Sequence, residues 1–296
     1  MRSSRRPLAL LAGAAVLTGL MIGTSPGASA ESGDSRSTAA ADPTYYVSLG
    51  DSLASGFQPD VQRDTNLGYT DKLFAQLKQT DPNLRHIKLG CSSETSATFI
   101  NGGFCTYKDS ANKTVGQLAK AVDFLTVNAA RVKFVSLNIG GNDLRACFVN
   151  GAVDQACTLR TLKALDTNVG RITAAVNGAS SATTNLAAAN TYNPFLVSFL
   201  SGAQGQKTAF ETAGAQQAFN EILARHFKAN HFTLADFSTA FQSFAFTPEA
   251  DLPGGGKAPA NLVKLCQETF ACGPLRDIHP TPSGHQLLAD TMRPAL

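Results

Sequence analysis

Four separate segments of the chain contain residue types that could carry out chemistry together. The segment 45–56 (YYVSLGDSLASG) runs from strand-favouring residues directly into a Gly, an Asp and Ser52. Gly90 and the segment 140–143 (GGND) each follow a later apolar run, and His279 precedes a proline near the C-terminus. A serine, a histidine and neutral N–H donors are the groups that nucleophilic attack on a carboxylic ester requires.

Each of these residues suits a different part of that reaction. Ser52 is the candidate nucleophile, and its own backbone N–H is a candidate donor to the developing oxyanion. Gly90 lets the backbone approach closely, so its N–H is a second candidate donor, and the side-chain amide of Asn142 is a third. His279 is the candidate base, because an ordinary histidine pKa of about 6.5 suits proton transfer at neutral pH. The structural alternatives are a helix cap at Ser52 and ordinary turns at Gly90 and Asn142.

Short apolar runs alternate with helical patterns and would bring these residues to one place. We predict strands over 45–49, 87–89, 132–139, 183–192 and 231–236, and helices over 69–77, 115–125, 159–176, 209–227 and 283–292. Such alternation is typical of a parallel sheet that helices cover on both faces. Ser52, Gly90 and Asn142 each follow the carboxyl end of a predicted strand, and ligands bind at that edge of such sheets.

The first thirty residues have the composition of a secretory signal peptide. Three arginines precede an apolar run over 8–22, and small residues provide a cleavage site after Ala30. The adjacent Arg5 and Arg6 leave open whether export uses the general or the twin-arginine route. Residues 31–43 are small and polar and predict a disordered lead-in, so the predicted domain spans 44–296. We therefore expect a secreted protein, with an uncleaved anchor as the alternative.

The six cysteines all lie in the predicted domain and fall into three sequential pairs: Cys91 and Cys105, Cys147 and Cys157, Cys266 and Cys272. An even number of cysteines in an exported chain predicts disulfide bonds. We favour pairing between neighbours because each pair closes a short loop. No pair has the spacing of a zinc site, and no histidine lies close enough to complete one, so a metal is not expected.

The charge balance of the domain argues against several classes of partner. Three of the 25 Lys and Arg residues lie in the predicted signal peptide, which has no acid, and the remaining 22 balance 22 Asp and Glu residues. This balance gives no basic surface for nucleic acid or for an anionic membrane. The 18 Phe residues and the absence of Trp favour lipid-type acyl esters over sugar acetates, because sugar sites often stack on Trp. We expect a monomer without stable membrane insertion that acts on a small-molecule or lipid ester.

The order of the motifs resembles that of a known family. The motifs 50–53 (GDSL), Gly90, 140–143 (GGND) and 279–280 (HP) fall in the order of the four signature blocks of SGNH hydrolases, also called the GDSL esterase/lipase family. The resemblance extends from Tyr45 to the C-terminus, and the three cysteine pairs resemble those of secreted bacterial members. It implies a three-layer α/β/α fold with a central, mostly parallel, flavodoxin-like sheet.

The resemblance also implies a role for each candidate residue. Ser52 is implied as the nucleophile, His279 as the base, and Gly90 and Asn142 as members of the oxyanion hole. The implied reaction is ester hydrolysis through an acyl-enzyme intermediate, without metal or cofactor.

The chain departs from the family pattern at the acid. The family usually places its acid three residues before the histidine, where this chain has Arg276, and a guanidinium cannot accept the imidazole N–H. Asp277, two residues before His279, is the predicted substitute, because a carboxylate fixes the tautomer and stabilises the imidazolium. A backbone carbonyl that orients the ring is the alternative.

Other functions fit parts of this pattern. A carbohydrate O-acetyl esterase would use the same fold. An α/β-hydrolase needs a G-x-S-x-G motif, which the surroundings of Ser52 do not provide. A non-catalytic extracellular binding module is expected to lack Ser52, Asn142 or His279, and all three are present. His285 competes with His279 as the base, but its place in the last predicted helix indicates a surface or packing residue.

Overall fold

Five parallel strands form the central sheet of the computed structural model, which describes residues 42–296. The strands are β1 Thr44–Gly50, β2 Leu84–Lys88, β3 Val132–Asn138, β4 Asn185–Ala189 and β5 Thr233–Ala235. They lie in the order β5-β4-β3-β1-β2, and every neighbouring pair is parallel. The predicted parallel sheet is therefore confirmed. The predicted signal peptide and most of the lead-in lie outside the described residues.

Helices follow the strands and cover both faces of the sheet. Those of the described chain are α1 Ser52–Ser55, α2 Tyr69–Lys78, α3 Ser96–Asn101, α4 Gln117–Val127, α5 Gly141–Arg145, α6 Gln155–Ala179, α7 Gly202–Ala229, α8 Phe237–Ala240, α9 Ala260–Glu268 and α10 Pro282–Met292. Short 3-10 helices span Pro194–Ser201, Phe270–Cys272 and Arg293–Ala295. The three-layer α/β/α arrangement agrees with the expected fold class.

Alternation along β1 divides the apolar interior into two layers. Val47 and Leu49 face one side of the sheet and pack with the buried residues of α4, α6 and α7. Tyr46 faces the other side and packs with α2, α8 and α10. Burying a large apolar side chain contributes about 1.5–3 kcal/mol, so these two layers fix the sheet and hold the ends of its strands in place.

The predicted strands differ from the observed ones mainly at their ends. The second strand was predicted over 87–89, whereas β2 begins at Leu84 and pairs with β1 from its first residue. The polar residues Arg85 and His86 interrupt the apolar run, so the sequence pattern placed the start of the strand too late. Such residues are tolerated here because β2 is an edge strand. His86 is held there by a 2.8 Å contact between its Nε2 atom and Ser48 Oγ. The fourth and fifth strands are shorter than predicted.

The two longest helices extend beyond their predicted ends. The side chain of Asp154 accepts a hydrogen bond from Cys157 N–H at 2.9 Å, so α6 begins at Gln155 and not at residue 159. The helix α7 begins at Gly202 because Gly205 packs closely on the preceding 3-10 helix, where an added Cβ would lie 2.0 Å from Ser198 O. Helices α1, α3, α5, α8 and α9 were not predicted, because each spans nine residues or fewer and offers too few turns for an apolar period to repeat.

The three predicted disulfide pairs are present and tie down the segments between the main elements: Cys91–Cys105, Cys147–Cys157 and Cys266–Cys272. Four short antiparallel hairpins also lie in these connecting segments. One of them pairs Phe148–Val149 with Ala152–Val153 inside the loop that the Cys147–Cys157 bond closes. Among the residues 42–296, no helix has both the length and the apolar character needed to cross a bilayer.

Candidate active site

Ser52 lies where β1 ends at the carboxyl edge of the sheet. It is the first residue of α1, and the side chain of Asp51 caps this helix by accepting a hydrogen bond from Leu53 N–H at 3.0 Å. Gly50 has a φ of +140°, a backbone conformation that favours glycine and that turns the chain sharply out of the strand. The turn therefore places the hydroxyl of Ser52 at the surface of the sheet edge.

His279 reaches this hydroxyl from the loop before α10. Its Nε2 atom lies 2.8 Å from Ser52 Oγ, although the two residues are 227 positions apart in the chain. The imidazole ring also packs against Phe57, with the ring centroids 4.8 Å apart. Its side chain retains 16% of its exposure, so part of the ring is open to a ligand.

Asp277 contacts the other ring nitrogen of His279. Its Oδ1 atom lies 2.6 Å from His279 Nδ1 and also accepts the backbone N–H of His279 at 2.8 Å. This short turn, in which an Asp accepts the N–H two residues later, explains how an acid at this spacing can reach the ring. Arg276, with a φ of +47°, begins the turn. The sequence left open whether Asp277 or a backbone carbonyl contacts the ring of His279. In the structure Asp277 makes this contact.

The charge state of Asp277 follows from these contacts. Burial raises its pKa, but the hydrogen bonds and charge of His279, together with the positive charge of Arg145, outweigh burial. The pKa of Asp277 therefore lies below its ordinary value, and the carboxylate remains ionised at neutral pH.

The loop that contains His279 is fastened at both ends. Phe270 N–H donates to His279 O at 3.0 Å, and the Cys266–Cys272 disulfide closes the segment just before it. In the middle of the loop, the hydroxyl of Tyr192 donates to Ile278 O at 2.9 Å. These contacts fix the position of the imidazole ring relative to Ser52.

Asn142 lies on α5, directly after β3. Its Nδ2 atom donates one proton to Glu94 O at 3.0 Å, which leaves the second amide proton for a ligand. Asp143, the next residue, accepts from both the N–H and the hydroxyl of Ser96, at 2.9 and 2.6 Å. Asn142 lines the same cavities as Ser52, so the structure brings the predicted amide to the predicted hydroxyl.

Gly90 takes a different place from the one predicted for it. It does not line the cavities around Ser52, and its Cα packs instead against the backbone of α1. An added Cβ would lie 2.6 Å from Ser55 N and 2.7 Å from the carbonyl carbon of Ala54. The glycine is required for this close approach of β2 to α1, and not to leave space for a substrate.

Ser93 lies where Gly90 was expected. It lines the polar cavity that contains Ser52, Asn142 and His279, and its φ of +69° is in the left-handed region. Ser93 could not be recognised from its residue type, because a position with a positive φ is ordinarily recognised by a glycine. The Cys91–Cys105 disulfide anchors the turn that presents it.

We expect Gly90→Ala to lower the free energy of unfolding by about 1–3 kcal/mol, because the atoms that its Cβ would strike are backbone atoms of α1. Chemical denaturation measures this loss. Gly214→Ala is the matched control: an added Cβ there meets nothing within 4 Å, and alanine favours the helix by about 0.5–1 kcal/mol. Equal stability of Gly90→Ala and the parent protein would contradict the close packing.

A buried polar chain supports the turn beneath Ser52. Tyr69 donates its hydroxyl proton to Asn138 Oδ1, and Asn138 Nδ2 donates to Asp51 Oδ1, both at 2.7 Å. Burial raises the pKa of Asp51 to about 6, although the hydrogen bonds from Leu53 N–H and Asn138 oppose this rise. Asp51 thus anchors the turn through the hydrogen bonds that it accepts from Leu53 N–H and Asn138.

His285, the alternative base, is fully buried in α10. Its Nδ1 atom accepts a hydrogen bond from Tyr69 N–H at 3.1 Å, and burial lowers its pKa to about 3. It is therefore a packing residue, in agreement with its predicted position on the last helix, and it does not contact Ser52.

Two cavities of different character open beside Ser52. The first, the apolar cavity, is lined mainly by apolar side chains, namely Leu53, Leu144, Tyr192, Pro194, Phe195 and Ile278, and Asn142 and Arg145 also reach its wall. It continues past Leu144 and Phe195 into an inner cavity that Val153 and Ala215 help to line, with Gln216 where the two meet. The second, the polar cavity, is lined by Phe57, Ser92, Ser93, Asn142, Arg145 and Asp277. Ser52 and His279 lie on the boundary between the two.

The three-layer fold and this site define a class of protein: an α/β/α protein that holds a hydroxyl, an imidazole and a carboxylate in one hydrogen-bonded series. Such a series can remove a proton from the hydroxyl and return it to a leaving group. The sequence pattern of the GDSL-like lipase/acylhydrolase family matches residues 48–287, and the chain belongs to this family. It is therefore a carboxylic ester hydrolase.

Solved structures include proteins with a similar fold. The extracellular lipase of Streptomyces rimosus has a TM-score of 0.55 and 19% identity, covering 86% of this chain and 100% of its own. Phospholipase A1 of Streptomyces albidoflavus has a TM-score of 0.51 and 16% identity, with coverage of 86% and 100%. These identities are low, so the likeness concerns the fold. A comparison with curated proteins finds no match.

Proposed function

We propose that this chain is a secreted serine esterase that hydrolyses carboxylic esters with lipid-type acyl groups. The observation that carries the proposal is the 2.8 Å contact between Ser52 Oγ and His279 Nε2, with Asp277 bound to the other ring nitrogen. A serine hydroxyl attacks an ester at neutral pH only when an adjacent base removes its proton, and His279 is placed to be that base.

Acylation begins when Ser52 Oγ forms a bond to the acyl carbon and its proton moves to His279 Nε2. The carbonyl π electrons move onto the carbonyl oxygen, which becomes the oxyanion of a tetrahedral intermediate. The intermediate collapses as the C–O bond to the alcohol breaks, and His279 gives its proton to the departing oxygen. Asp277 stabilises the imidazolium that exists between these two transfers.

Deacylation repeats the same transfers with water in place of Ser52. His279 takes a proton from water while the water oxygen bonds to the acyl carbon. The second tetrahedral intermediate collapses as the bond between Ser52 Oγ and the acyl carbon breaks, and His279 returns the proton to Oγ. The carboxylic acid leaves, and the site is restored.

We assign the oxyanion to three donors. The N–H of Ser52 is free because it is the first N–H of α1 and has no partner within the helix. The second amide proton of Asn142 is the next donor. The third is the backbone N–H of Ser93, which lines the polar cavity with both residues, in place of that of Gly90. Neutral N–H groups held in place before the reaction are the usual source of such stabilisation.

The apolar cavity supports the lipid-type acyl preference. A chain attached to Ser52 can pass between Leu144 and Phe195 into the inner cavity, whose walls include Val153 and Ala215. Each buried methylene contributes about 0.8 kcal/mol, so esters whose acyl chain fills both cavities should react faster than acetates. The Cys147–Cys157 bond supports this preference by holding the hairpin that contributes Val153.

A fluorophosphonate probe tests the proposed function directly, because it reacts with an activated serine and is ignored by a binding module. We expect one label per chain, on Ser52, and hydrolysis of nitrophenyl esters that rises from acetate to longer acyl chains. Acetylated xylan in the same series tests the alternative of a carbohydrate O-acetyl esterase. A labelled protein that prefers acetylated xylan would overturn the lipid-type preference, and an unlabelled, inactive protein would overturn the whole proposal.

Filling the inner cavity should shorten the preferred acyl chain. We expect Ala215→Phe to lower kcat/KM for nitrophenyl octanoate by about 10- to 100-fold relative to nitrophenyl acetate, because two to four methylenes lose their buried surface. Ala229→Phe, at the exposed C-terminal end of the same helix, is the control and should leave the ratio unchanged. An equal loss of activity on both esters in Ala215→Phe would show that the inner cavity does not receive the acyl chain.

Secretion forms part of the proposal. The predicted signal peptide over 1–30 would be removed after Ala30, and the domain would span 44–296. The three disulfides support an extracellular location, since such bonds persist in oxidising compartments. Mass spectrometry of the protein recovered from culture medium would give the mature N-terminus.

A further inference from the structure

The two cavities beside Ser52 differ in a way that separates the two halves of an ester. The apolar cavity suits the acyl chain, so the polar cavity on the other side of Ser52 is left for the alcohol. The alcohol must also leave past His279, which protonates it, and His279 lines this polar cavity. This inference rests on the proposed function and concerns the alcohol that the site accepts.

Arg145 is a cation that lines both the polar cavity and the apolar one. It is the last residue of α5, three residues after Asn142, and residues at this spacing lie on the same face of a helix. Arg145 lines the cavities around Ser52, and its side chain is exposed. Within residues 42–296 its guanidinium forms no ion pair with a carboxylate. Its hydrogen-bond donors are thus directed to the cavity or to solvent.

The neighbouring acid, Asp277, does not form an ion pair with Arg145. Asp277 lies close enough for the charge of Arg145 to lower its pKa, but among the described residues its carboxylate pairs with His279 and not with Arg145. Asp64, which binds the cavity-lining Ser92, accepts hydrogen bonds from Ser55 and Ser92, and Asp143 accepts hydrogen bonds from the N–H and hydroxyl of Ser96. Arg145 therefore has an unfilled capacity for an anion, next to the atoms that would react.

We infer that Arg145 binds a phosphate group on the alcohol portion of the substrate, so that the preferred esters are acylated glycerol phosphates. A guanidinium offers a planar pair of N–H donors that matches two phosphate oxygens, and it binds phosphate more specifically than a point charge does. The exposed Ser93 lines the same cavity and supplies a further hydroxyl for a third oxygen. In such an ester the phosphate lies a few bonds from the acyl carbon. In the site Arg145 lies one helical turn from Asn142, so the cation is close to the place where the acyl carbon reacts.

Two soluble substrates that differ only in the phosphate test this inference. We would measure kcat/KM for dihexanoylglycerol phosphate and for dihexanoylglycerol, both below the concentrations at which they aggregate. The parent protein should prefer the phosphate ester by about 10- to 100-fold, the range expected for hydrogen bonds to a charged group. Arg145→Gln should lower this preference by a similar factor, and Arg145→Lys should retain part of it, since a lysine keeps the charge but loses the paired donors.

Arg171→Gln is the matched control, because Arg171 is exposed on α6 and lines none of the cavities around Ser52. It removes the same charge and should leave the preference unchanged. Glycerol phosphate should compete with nitrophenyl butyrate in the parent protein and compete less well in Arg145→Gln. Equal rates on the two glycerol esters, or an equal loss on both in Arg145→Gln, would overturn the inference while nitrophenyl ester hydrolysis keeps the proposed function. Inactivity on every ester would overturn the proposed function itself.

Discussion

Ser52→Ala is expected to lower kcat for nitrophenyl butyrate by about 10⁵- to 10⁶-fold, the scale of loss seen when a serine nucleophile is removed. The variant lacks the atom that bonds to the acyl carbon, so no acyl-enzyme can form. The donors that hold the oxyanion remain and should sustain a small residual rate. Steady-state kinetics measure the loss, and fluorophosphonate labelling should disappear with it. The Tm should stay close to that of the parent, because Ser52 is only half-buried.

The chain contains its own control for this experiment. Ser48 Oγ lies 2.8 Å from His86 Nε2, and Asp71 Oδ1 lies 3.8 Å from His86 Nδ1, a second series of serine, histidine and aspartate. Ser48 is fully buried in the sheet, and burial, helped by the charge of Lys88, lowers the pKa of His86 to about 3. Ser48→Ala should therefore keep its label and its kcat. A protein that loses labelling through Ser48→Ala and retains it in Ser52→Ala would refute the assignment of the nucleophile.

The fold could be predicted because its main elements are locally consistent. In β1 the alternation of apolar residues continues until Gly50, and the long helices repeat apolar residues at helical spacing. What could not be predicted depends on partners distant in the chain. The start of β2 is set by pairing with β1, and the start of α7 by the close approach of Gly205 to Ser198. Neither contact has a local signal.

The candidate site divides in the same way. Ser52, Asn142 and His279 could be found because each occurs in a short motif at a predicted strand end or before the last helix. The roles of Gly90 and Ser93 could not be distinguished from the sequence. Gly90 is required for close packing against α1, whereas Ser93 has the positive φ and lines the polar cavity. The polar cavity and Arg145 are products of packing, and no pattern of residue types marks them in the sequence.

Asp277→Asn is expected to lower kcat by about 10³- to 10⁴-fold, because it changes the tautomer of His279. In the parent, Asp277 accepts a hydrogen bond from the Nδ1–H of His279, which leaves Nε2 free to accept the proton of Ser52. An asparagine can turn its amide N–H₂ towards Nδ1, and the ring proton then resides on Nε2, where it blocks the transfer. Kinetics on nitrophenyl butyrate measure this loss.

The same variant has a stability signature that depends on pH. The pKa of Asp277 lies below its ordinary value of about 3.9, so the folded chain holds the ionised carboxylate more favourably than the unfolded chain does. This contribution is present above the ordinary pKa and is lost as the pH falls through the lower folded value. The parent should therefore have a higher Tm than Asp277→Asn at neutral pH, and the difference should vanish in strong acid.

Asp166→Asn separates the two effects, because Asp166 also contacts a histidine but lines neither of the cavities beside Ser52. Its Oδ1 atom is 2.5 Å from His226 Nε2, between α6 and α7, and the hydrogen bonds from His226 and Arg225 hold its pKa below the ordinary value. Its variant should lose Tm with the same pH dependence and keep the parent kcat. If Asp166→Asn and Asp277→Asn reduced kcat equally, the loss would follow from general destabilisation, and Asp277 would have no part in orienting His279.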